Sequence, residues 1–459
     1  MDCDREINLR RVALAGGRHA LALTAAGTRS ADELAGRVRG LYAWLRLRPE
    51  QSVGLWLASG YDFLCAFIAL ALAGKRIVMP HQMQEGAVRL MGDHFAALIT
   101  DQPVAGFAGP QWLPAQWPAA CDSEPDASAF SREVELVLFT SGSTGDPAPI
   151  RKTLAELESE IATLESAFGR EVQDLTVIAT VSHQHIYGLL HVLLWPLARA
   201  AAFLDTPCHY PEVLASEVLR LEPAILVSSP THLSRLPESG VFTEAAERLR
   251  VCFSSGGLLH ERHARAFAAL NGRAPLEILG STETGGVAWR RQSESSLWQA
   301  LPGVALATTQ EQCLQVRSAH LGDPAGFTMG DKVRFAEDGR FELLGRADTI
   351  VKVEGKRLSL TELQKRLEAH PWIEEARAAV VRGRRDEIGV VLCLLPAATG
   401  RLERGGRRAL NQALREYLAD YFEAPLLPRR WRYVQALPRN AQGKVLAADV
   451  LSLLEERQS

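Results

Sequence analysis

Apolar and polar positions along residues 30–80 follow two different periods. SADELAGRVRGLYAWL places apolar residues at helical spacing behind an N-cap serine, and YDFLCAFIALALAG is apolar almost throughout and ends at glycine. Both patterns predict helices, the second of them buried. The short apolar runs SVGLWLA and RIVMP predict strands. Helices and strands in this order predict a βαβ unit with a parallel sheet.

Strands that end in small polar turns recur farther along the chain. AILVSSPTHL, RVCFSSGGLL and PLEILGSTETGG each join an apolar run to Ser, Thr or Gly. Because ligand sites in open α/β sheets lie at the carboxyl ends of strands, the three turns predict a shared polar floor. TVIATVSHQHIYGLL predicts a strand followed by a turn, and LAELESEIATLESAFG predicts an amphipathic helix before it.

A break near GRADTIVKVEG divides the pattern into two domains. Residues 347–459 carry their own helix, LTELQKRLEAH, and the strands AAVVRG and GVVLCLL. We therefore expect an α/β fold with a large N-terminal domain, residues 1–346, of layered and largely parallel sheets with helices. A small α+β C-terminal domain, residues 347–459, follows it.

Composition excludes several classes of protein. The 459 residues suffice for two or three domains, with 47% hydrophobic and 23% charged residues. A net charge of −3 gives no argument for a nucleic-acid partner. The apolar run at 63–74 is shorter than the ~20 residues of a membrane span. The N-terminus MDCDREINLRR lacks the apolar core of a secretory signal, and no CxxC pair occurs. We expect a cytoplasmic protein.

The stretch LFTSGSTGDPAPIRKT, residues 138–153, carries the first candidate chemistry. Glycine lets a loop approach a ligand closely, and hydroxyl groups donate hydrogen bonds to phosphate oxygens. The stretch therefore suits an anion-binding loop, although Ser, Gly, Asp and Pro also dominate surface turns. Lysine is scarce among the 51 basic residues. Either a coding bias toward arginine explains this scarcity, or a retained lysine has a role that arginine cannot fill.

Six motifs occur in one order over most of the chain: FTSGSTGDP, HIYGLL, GSTETGG, MGDKVRF, GRADTIVKVEGKRLSLTEL and PRNAQGKV. Together they resemble the adenylate-forming superfamily, which includes acyl-CoA synthetases, coumarate–CoA ligases, luciferases and nonribosomal adenylation domains. Within it, the short chain, HIYGLL and the PAPIRK variant look most like the compact AMP-ligases encoded beside aryl polyene and xanthomonadin pigment genes.

The resemblance implies a two-step reaction with ATP and Mg²⁺. A small carboxylic acid attacks the α-phosphate and gives acyl-AMP and pyrophosphate, and a phosphopantetheine thiol of CoA or of an acyl carrier protein then displaces AMP. The nucleotide is expected between the two domains, with the smaller one as a mobile lid. Two alternatives stay open, a medium- or long-chain fatty acid ligase and a non-catalytic adenylate-binding regulator. A P-loop phosphotransferase is disfavoured because no GxxxxGK[ST] occurs.

The resemblance also implies roles for individual residues. The loop that holds the β- and γ-phosphates is similar to Thr140, Ser141, Gly142, Ser143, Thr144 and Gly145 here. Further nucleotide-binding positions match Ser255, Gly256, Gly257, Leu279, Gly280, Ser281, Thr282, Asp331, Arg346 and Lys444. The acyl pocket matches His185, Tyr187, Gly188, Ser254, Gly285 and Gly286. Asp348 matches the hinge, and Gly355 matches the turn presented to the thiol.

Three residues, Glu283, Lys444 and His185, are expected to be catalytic in the resembled reaction. Glu283 matches the residue that holds Mg²⁺, beside Thr282 on the α-phosphate. Lys444 matches the lysine that bridges the acid and the α-phosphate, and His185 matches the histidine beside the acyl carboxylate. Asp331 matches the carboxylate on the ribose hydroxyls, with Arg346 helping.

The chain departs from the resembled pattern at two places. Leu279 stands where an aromatic residue usually stacks on adenine, so weaker nucleotide affinity or relaxed base preference is expected. Residues 147–149 read Pro-Ala-Pro where Pro-Lys-Gly is usual, and Arg151 or Lys152 could supply the missing charge from another position.

Structural alternatives stand beside these roles. Thr282 and Glu283 could be a helix cap with a first-turn acid. His183 and His185 on one strand would face the same side like a metal pair, although no nearby Asp or Cys completes a site. Lys444 could be an exposed tail residue, and Tyr187 could pack in the core. The turns expected to line the acyl pocket, FSSGGLL and ILGSTETGGVAW, are rich in small residues and leave room for a flat ring. Planar aryl acids such as hydroxybenzoates or cinnamates are therefore the expected substrates.

Overall fold

The computed structural model describes most of the chain and divides it into two compact units. The described residues are 7–80, 83, 85–122, 125, 131–141, 147–221, 223–346, 350–353, 356–382, 386–422, 424–440 and 443–456. The first unit holds residues 1–306 and 316–327, and the second holds 307–315 and 328–459. The predicted boundary after residue 346 stays a prediction.

The strands up to residue 300 build the two large sheets. They are β1 (Ala20–Thr24), β2 (Gly27–Ser30), β3 (Ser52–Trp56), β4 (Arg76–Met79), β5 (Ala97–Thr100), β6 (Gln111–Trp112), β7 (Glu135–Ser141), β8 (Pro147–Thr153), β9 (Thr176–Ala179), β10 (Phe203–Leu204), β11 (Ala224–Ser228), β12 (Leu249–Ser254), β13 (Leu276–Ser281), β14 (Gly285–Arg291) and β15 (Gln299–Ala300).

Helices alternate with these strands. The α-helices are α1 (Leu9–Ala15), α2 (Ala31–Leu45), α3 (Gly60–Leu72), α4 (Glu85–Met91), α5 (Leu154–Phe168), α6 (Ile186–Gly188), α7 (Trp195–Arg199), α8 (Pro211–Arg220), α9 (Pro230–Leu233), α10 (Thr243–Arg248) and α11 (Glu261–Asn271). A π-helix joins α6 to α7 over Leu189–Leu194. Short 3₁₀ turns cover Gly92–His94, Pro114–Gln116 and Pro237–Ser239.

Both sheets are parallel through their middle. One has nine strands in the order β15-β14-β13-β12-β11-β9-β10-β1-β2, and the other has six in the order β6-β5-β3-β4-β7-β8. In the first sheet the run from β13 to β1 is parallel, whereas β14, β15 and β2 join antiparallel at its edges. In the second sheet β8 alone among the described pairs is antiparallel. The predicted layered, largely parallel α/β architecture is confirmed.

The βαβ unit predicted over residues 30–80 is present. Ser30 accepts a hydrogen bond from the amide of Glu33, whose side chain returns one to the Ser30 amide, so a capping box starts α2. Helix α3 is buried on nearly all sides, as its apolar sequence requires. Strands β3 and β4, on either side of α3, pair in parallel.

The strands from Ala305 onward form three smaller sheets. They are β16 (Ala305–Thr308), β17 (Cys313–Arg317), β18 (Phe327–Phe335), β19 (Phe341–Arg346), β20 (Ile350–Val353), β21 (Lys356–Ser359), β22 (Ile373–Val381), β23 (Glu387–Leu394) and β24 (Arg430–Val434). They are arranged as β16-β17-β18-β19, β20-β21 and β22-β23-β24.

The helices of the second unit pack on its sheets. They are α12 (Leu360–Glu368), α13 (Pro396–Ala419), the 3₁₀ turn Ala424–Leu426 and α14 (Ala447–Glu455). Leu363 of α12 and Leu414 of α13 are fully buried in one apolar core with Val390 of β23. The α+β character predicted for the C-terminal region is confirmed. Within the part of the chain that the structure describes, no helix has both the length and the apolar character needed to cross a membrane.

Candidate active site

Three neighbouring strands of the nine-stranded sheet end in serine, as the three polar turns predicted. Ser228 of β11 lies opposite Ser254 of β12 in the parallel register, and its hydroxyl is 2.8 Å from that of Thr180. Ser255 donates a hydrogen bond from Oγ to the carbonyl of Ile278 in β13 at 2.9 Å. The hydroxyl groups of Thr180, Ser228, Ser254 and Ser255 form the polar floor, with the exposed residues Gly256 and Gly257 at its rim. Strand β13 continues past this level, from Glu277 opposite Ser254 to Ser281.

Thr282 and Glu283 lie at the tip of the hairpin between β13 and β14. In this hairpin Gly280 pairs with Gly286 and Ser281 pairs with Gly285. No helix starts at the hairpin tip, so the helix-cap interpretation of Thr282 and Glu283 is wrong. The turn is held from inside by the buried Thr284, whose hydroxyl accepts from the Ser281 amide at 3.1 Å and donates to the Gly285 carbonyl at 2.9 Å.

The buried side chain of Glu160 supports the hairpin between β13 and β14. Glu160 of α5, only 3% exposed, accepts a hydrogen bond from the Gly286 amide at 2.7 Å. Gly285 has φ +65°, and a Cβ at that position would overlap the Glu160 carboxylate. The glycines of GSTETGG are therefore required both by the turn and by the carboxylate beneath it.

His320 and Lys152 also help to hold the hairpin between β13 and β14. The ring of His320 donates from Nε2 to the Gly286 carbonyl at 3.0 Å, since a carbonyl oxygen can only accept. Lys152 of β8, 3% exposed, donates from Nζ to the His320 carbonyl at 3.0 Å. Glu160 of α5 and His320 thus bond to the two backbone groups of Gly286, and Lys152 of β8 bonds in turn to the backbone of His320.

Burial shifts the pKa values of the three side chains that support the hairpin, Glu160, His320 and Lys152. It raises the pKa of Glu160 to about 7, against the lowering effects of the Gly286 hydrogen bond and the Lys152 charge. It lowers the pKa of His320 to about 4, helped by the nearby Lys152 charge, so the imidazole is neutral. Burial also lowers the pKa of Lys152, although Glu156, Glu160 and Glu283 oppose the shift. Glu283 is therefore close enough to interact with a buried cation.

A cavity of 350 Å³ opens beside Glu283. It is lined by Glu135, Ile150, Arg151, Lys152, Thr153, Glu156, Glu283, Leu321, Gly322, Asp323, Gly326 and Phe327. Arg151 forms an ion pair with Glu135, and the Lys152 ammonium lies 3.9 Å from Glu156. The two bases that could replace the lysine absent from residues 147–149 therefore line the same cavity as Glu283. Carboxylates outnumber bases in the lining.

The HIYGLL segment starts a helix at the edge of the polar floor. His185 is the N-cap of α6, and a Cβ on Gly188 would collide with the Ser182 carbonyl. Tyr187 is half-buried, with its ring centroid 4.5 Å from that of His191. Burial raises the pKa of Tyr187 well above its ordinary value, so its hydroxyl stays protonated.

His183 and His185 do not form the metal pair considered from the sequence. His183 lies in a turn, not on a strand, and its Nε2 donates to the Leu57 carbonyl at 2.8 Å. Among the described residues no group of three or more His, Cys, Asp or Glu side chains is arranged to hold a metal ion. His183 is a buried residue whose Nε2 is bonded to the backbone.

The other predicted site residues of the first unit are Leu279 and the loop of residues 140–145. Leu279, half-buried, faces Ala288 across the β13–β14 ladder, just before an irregularity in the register. Thr140 and Ser141 end β7. Gly142, Ser143, Thr144 and Gly145 lie outside the described residues.

Three predicted site residues of the second unit are described: Asp331 and Arg346, which lie together, and Lys444. Asp331 of β18 pairs with Arg346 of β19 in the ladder, and their charged groups are 3.8 Å apart. Lys444 is exposed, with its amide donating to Asn440 Oδ1 at 2.9 Å in a turn where Gly443 has φ +74°. The turn fixes the backbone of Lys444 and leaves its side chain in solvent. Asp348 and Gly355 lie outside the described residues.

Sequence reasoning missed Glu160 and His320. The signal for Glu160 was present, because the residue falls three positions after Leu157 and four before Leu164, on the apolar face of α5. A charged residue at such a position is almost always paired or functional. His320 had no such signal, since it lies in an irregular segment far from the hairpin in sequence.

Comparisons with known proteins agree with this architecture. The sequence model of the family described as AMP-binding enzyme matches residues 10–313. A 4-coumarate–CoA ligase of Rhodobacter capsulatus is 28% identical, over 69% of this chain and 76% of the relative. A benzoate–CoA ligase of Thauera aromatica is 26% identical, over 92% of this chain and 90% of the relative. The crystal structure of ATP-bound MatB from Rhodopseudomonas palustris superposes with a TM-score of 0.84 at 19% identity, covering 97% of this chain and 98% of that one.

Proposed function

Since this chain belongs to the AMP-binding enzyme family, we propose that it activates a small aryl carboxylic acid with ATP and transfers the acyl group to a thiol. In the first step a carboxylate oxygen attacks the α-phosphorus, and the bond from that phosphorus to the pyrophosphate oxygen breaks. In the second step a thiolate attacks the acyl carbon, and the bond to AMP breaks. The thiol belongs to a phosphopantetheinyl carrier protein or to CoA.

The observation that carries this proposal is the position of Glu283. Its hairpin tip borders a 350 Å³ cavity that is also lined by Lys152 and Arg151. Because the lining holds more carboxylates than bases, a polyphosphate would enter it favourably only with a cation. One carboxylate together with substrate phosphates is a usual environment for Mg²⁺, so Glu283 fits this ion. When bound, Mg²⁺ would neutralise charge on the phosphate oxygens.

The chain's own residues then provide positioning. Thr282, next to Glu283, would donate its hydroxyl to the α-phosphate, and the loop from Thr140 to Gly145 would hold the β- and γ-phosphates. Leu279 would cover the adenine ring through apolar contact. Positioning and electrostatic stabilisation are the main contributions an enzyme can make to phosphoryl chemistry of this kind.

Residues of the second unit have proposed roles in the same reaction. Asp331, paired with Arg346, would accept hydrogen bonds from the ribose hydroxyls. Lys444 would reach the acid and the α-phosphate during adenylation, and its exposed side chain on a fixed backbone turn is compatible with that role. Asp348 would serve as the hinge and Gly355 would face the thiol.

The acyl group is proposed to lie along the HIYGLL helix. His185 at the helix start would contact the carboxylate, and Tyr187 with Ser254 would border the ring. A planar aryl acid is supported by the small residues of the polar floor and by the names of two relatives, which act on coumarate and benzoate. A carrier protein is the proposed acceptor because the motif set looks most like the pigment-cluster ligases.

Pyrophosphate exchange with a panel of acids tests this function. Purified protein would be assayed with ATP, Mg²⁺ and 4-hydroxybenzoate, coumarate, octanoate or dodecanoate, and kcat/KM compared. We expect exchange with an aryl acid. A tenfold advantage of either fatty acid, ~1.4 kcal/mol in the transition state, would contradict the aryl assignment. Absence of exchange with all acids, together with ATP binding, would indicate an adenylate-binding regulator instead.

The acceptor requires a second assay. Enzyme with a preferred acid would be offered CoA or a phosphopantetheinylated carrier protein, and thioester formation measured. Faster transfer to the carrier protein is expected, whereas transfer to CoA alone would contradict that part of the proposal.

A further inference from the structure

The helix that begins with HIYGLL changes its winding in the middle. It is π-helical over Leu189–Leu194, between the α-helical segments α6 and α7. Single π-helical turns inside α-helices are rare and occur frequently at functional sites. His191 lies within this π-helical turn.

The ring of His191 has one nitrogen bonded and one without a partner. Nδ1 lies 3.1 Å from the Tyr187 carbonyl, and because a carbonyl oxygen accepts, Nδ1 carries the proton. Burial lowers the pKa of His191 to about 4, so the ring is neutral and Nε2 is an acceptor. The residue is 3% exposed, and Nε2 has no hydrogen-bond partner among the described residues. A buried acceptor left unpaired costs stability, so its presence needs an explanation.

A small cavity lies against this ring. It measures about 10 Å³ and is lined by Val172, Val177, His191, Trp195, Pro196, Arg199, Ala201, Ile225, Val227 and Phe253. The other polar lining groups are paired, since Trp195 Nε1 donates to Glu165 at 2.9 Å and Arg199 forms an ion pair with the same carboxylate. The volume is close to the room that one water-sized group requires. A hydroxyl fits this space, whereas a ring does not.

His191 lies against Tyr187, which is assigned to the acyl pocket, and against Phe253 of β12. Its ring centroid is 4.5 Å from that of Tyr187 and 5.5 Å from that of Phe253. Phe253 directly precedes Ser254, whose buried hydroxyl also has no hydrogen-bond partner among the described residues. Through its contact with Tyr187, this buried neutral acceptor adjoins the predicted acyl pocket.

We propose that His191 is a specificity determinant whose Nε2 accepts a hydrogen bond from a hydroxyl group at the distal end of the acid substrate. This inference rests on the proposed function and narrows its substrate class to aryl acids with a ring hydroxyl. A site that bonds a substrate hydroxyl discriminates strongly against the analogue that lacks it, because the buried acceptor is then left unpaired. A methoxy group fails on both counts, since it cannot donate and is larger than the cavity.

The test compares four acids across five proteins. Benzoate, 3-hydroxybenzoate, 4-hydroxybenzoate and 4-methoxybenzoate are assayed by pyrophosphate exchange with wild type, His191→Phe, His191→Leu, His191→Gln and Trp195→Phe. His191→Phe and His191→Leu remove the acceptor in two shapes, so that poor folding of one leaves the other. His191→Gln keeps an acceptor, and Trp195→Phe is the matched control that alters the same cavity wall but leaves His191 in place.

Wild type should favour the better hydroxybenzoate over benzoate and 4-methoxybenzoate by ~10-fold or more in kcat/KM. His191→Phe and His191→Leu should bring the acids within about threefold of one another, chiefly through loss of activity on the hydroxylated acid. His191→Gln should restore part of the preference and Trp195→Phe should keep it. Equal use of all acids by wild type, or an unchanged preference without His191, would overturn the proposal.

Thermal shifts separate this inference from the proposed function. Each acid is added to each protein and the change in Tm recorded. Stabilisation of wild type by a hydroxybenzoate, lost in His191→Leu, together with no pyrophosphate exchange, would support the His191 site and reject the ligase function. Pyrophosphate exchange with aryl acids that does not depend on His191 would support the ligase function and reject the His191 site.

Discussion

Glu160 Oε1 lies 2.7 Å from the amide nitrogen of Gly286, across 126 residues of sequence. This bond ties α5 to the hairpin whose tip carries Glu283. His320 holds the carbonyl of the same glycine, so the residue is fixed on both sides. Glu160 contacts the backbone of the hairpin and no predicted reacting group, which makes it a positioning residue.

Removing the Glu160 carboxylate should impair the use of ATP. Glu160→Ala leaves the Gly286 amide buried and unpaired, at a cost of ~1–3 kcal/mol, and frees the hairpin to shift. We expect KM for MgATP to rise and kcat to fall, each by ~3–10-fold, a modest change for a displaced rather than deleted group. Glu160→Gln keeps an oxygen acceptor and should retain most activity. Steady-state pyrophosphate exchange at varied ATP measures both constants.

Glu158 supplies a matched control on the same helix. It is also buried, and it accepts from the Leu9 amide at 2.8 Å and from Arg132 at 2.6 Å, away from the hairpin. Glu158→Ala should lower Tm while KM for MgATP stays near the wild-type value. Equal kinetic effects of the two alanine variants would show that Glu160 acts only through overall stability.

Lys444→Ala should separate the two half-reactions. Loss of one preorganised charge donor is expected to slow adenylation by ~10²–10³-fold. Thioester formation from supplied acyl-AMP should survive far better, because the lysine is proposed to act on the α-phosphate. Arg439→Ala in the same turn, where Arg439 donates to the Gly443 carbonyl at 2.9 Å, tests the backbone alone. A parallel loss of both half-reactions in Lys444→Ala would refute the assigned role.

Leu279→Tyr should tighten ATP binding. An aromatic ring at this half-buried position could stack on adenine, with a gain of ~0.5–1.5 kcal/mol when the geometry is favourable. Isothermal titration of ATP against wild type and the variant gives the change directly, and Leu279→Met serves as a control of similar volume. Weaker or unchanged binding by Leu279→Tyr would mean that adenine does not lie against this side chain.

Acid should destabilise the protein partly through His191 and His320. Burial lowers the pKa of each to about 4, below the ~6.5 of an unfolded histidine. The unfolded chain therefore binds protons that the folded one does not as pH falls from about 6.5 toward 4, and stability is lost over that window. Glu160, with its pKa raised to about 7, acts in the opposite sense, because its folded form holds a proton that the unfolded chain releases above ~4.5.

Two variants test these opposite contributions. His191→Leu should reduce the difference in Tm between pH 7.5 and pH 5, since one acid-sensitive group is gone. Glu160→Gln should enlarge that difference, because the opposing group is gone. Differential scanning calorimetry at the two pH values measures both. The reverse ranking of the variants would show that these side chains do not carry the assigned protonation states.

Local patterns in the chain were enough to predict most elements of the fold. Helices α2, α3 and α5 and the strands around them follow from apolar spacing, and α2 follows also from its capping residue Ser30. The three serine-ended strands were predicted to share a polar floor, and they are neighbours in one sheet. The π-helical turn around His191 was not predicted, because the i, i+4 spacing of apolar residues suits α- and π-winding alike.

The sequence by itself determined the periodicity of the elements, the small residues of the turns and the order of six motifs, since each depends on neighbours along the chain. Only the tertiary structure decided which distant groups meet. Lys152 bonds to the His320 carbonyl across 168 residues, and His183 bonds to the Leu57 carbonyl across 126. A pattern identifies the face that a side chain occupies, but its partner, and with it the pKa and the role, depends on how the sheets and helices bring remote segments together. For this reason Glu160 and His191 were recognised as parts of the candidate site only from their surroundings in the folded chain.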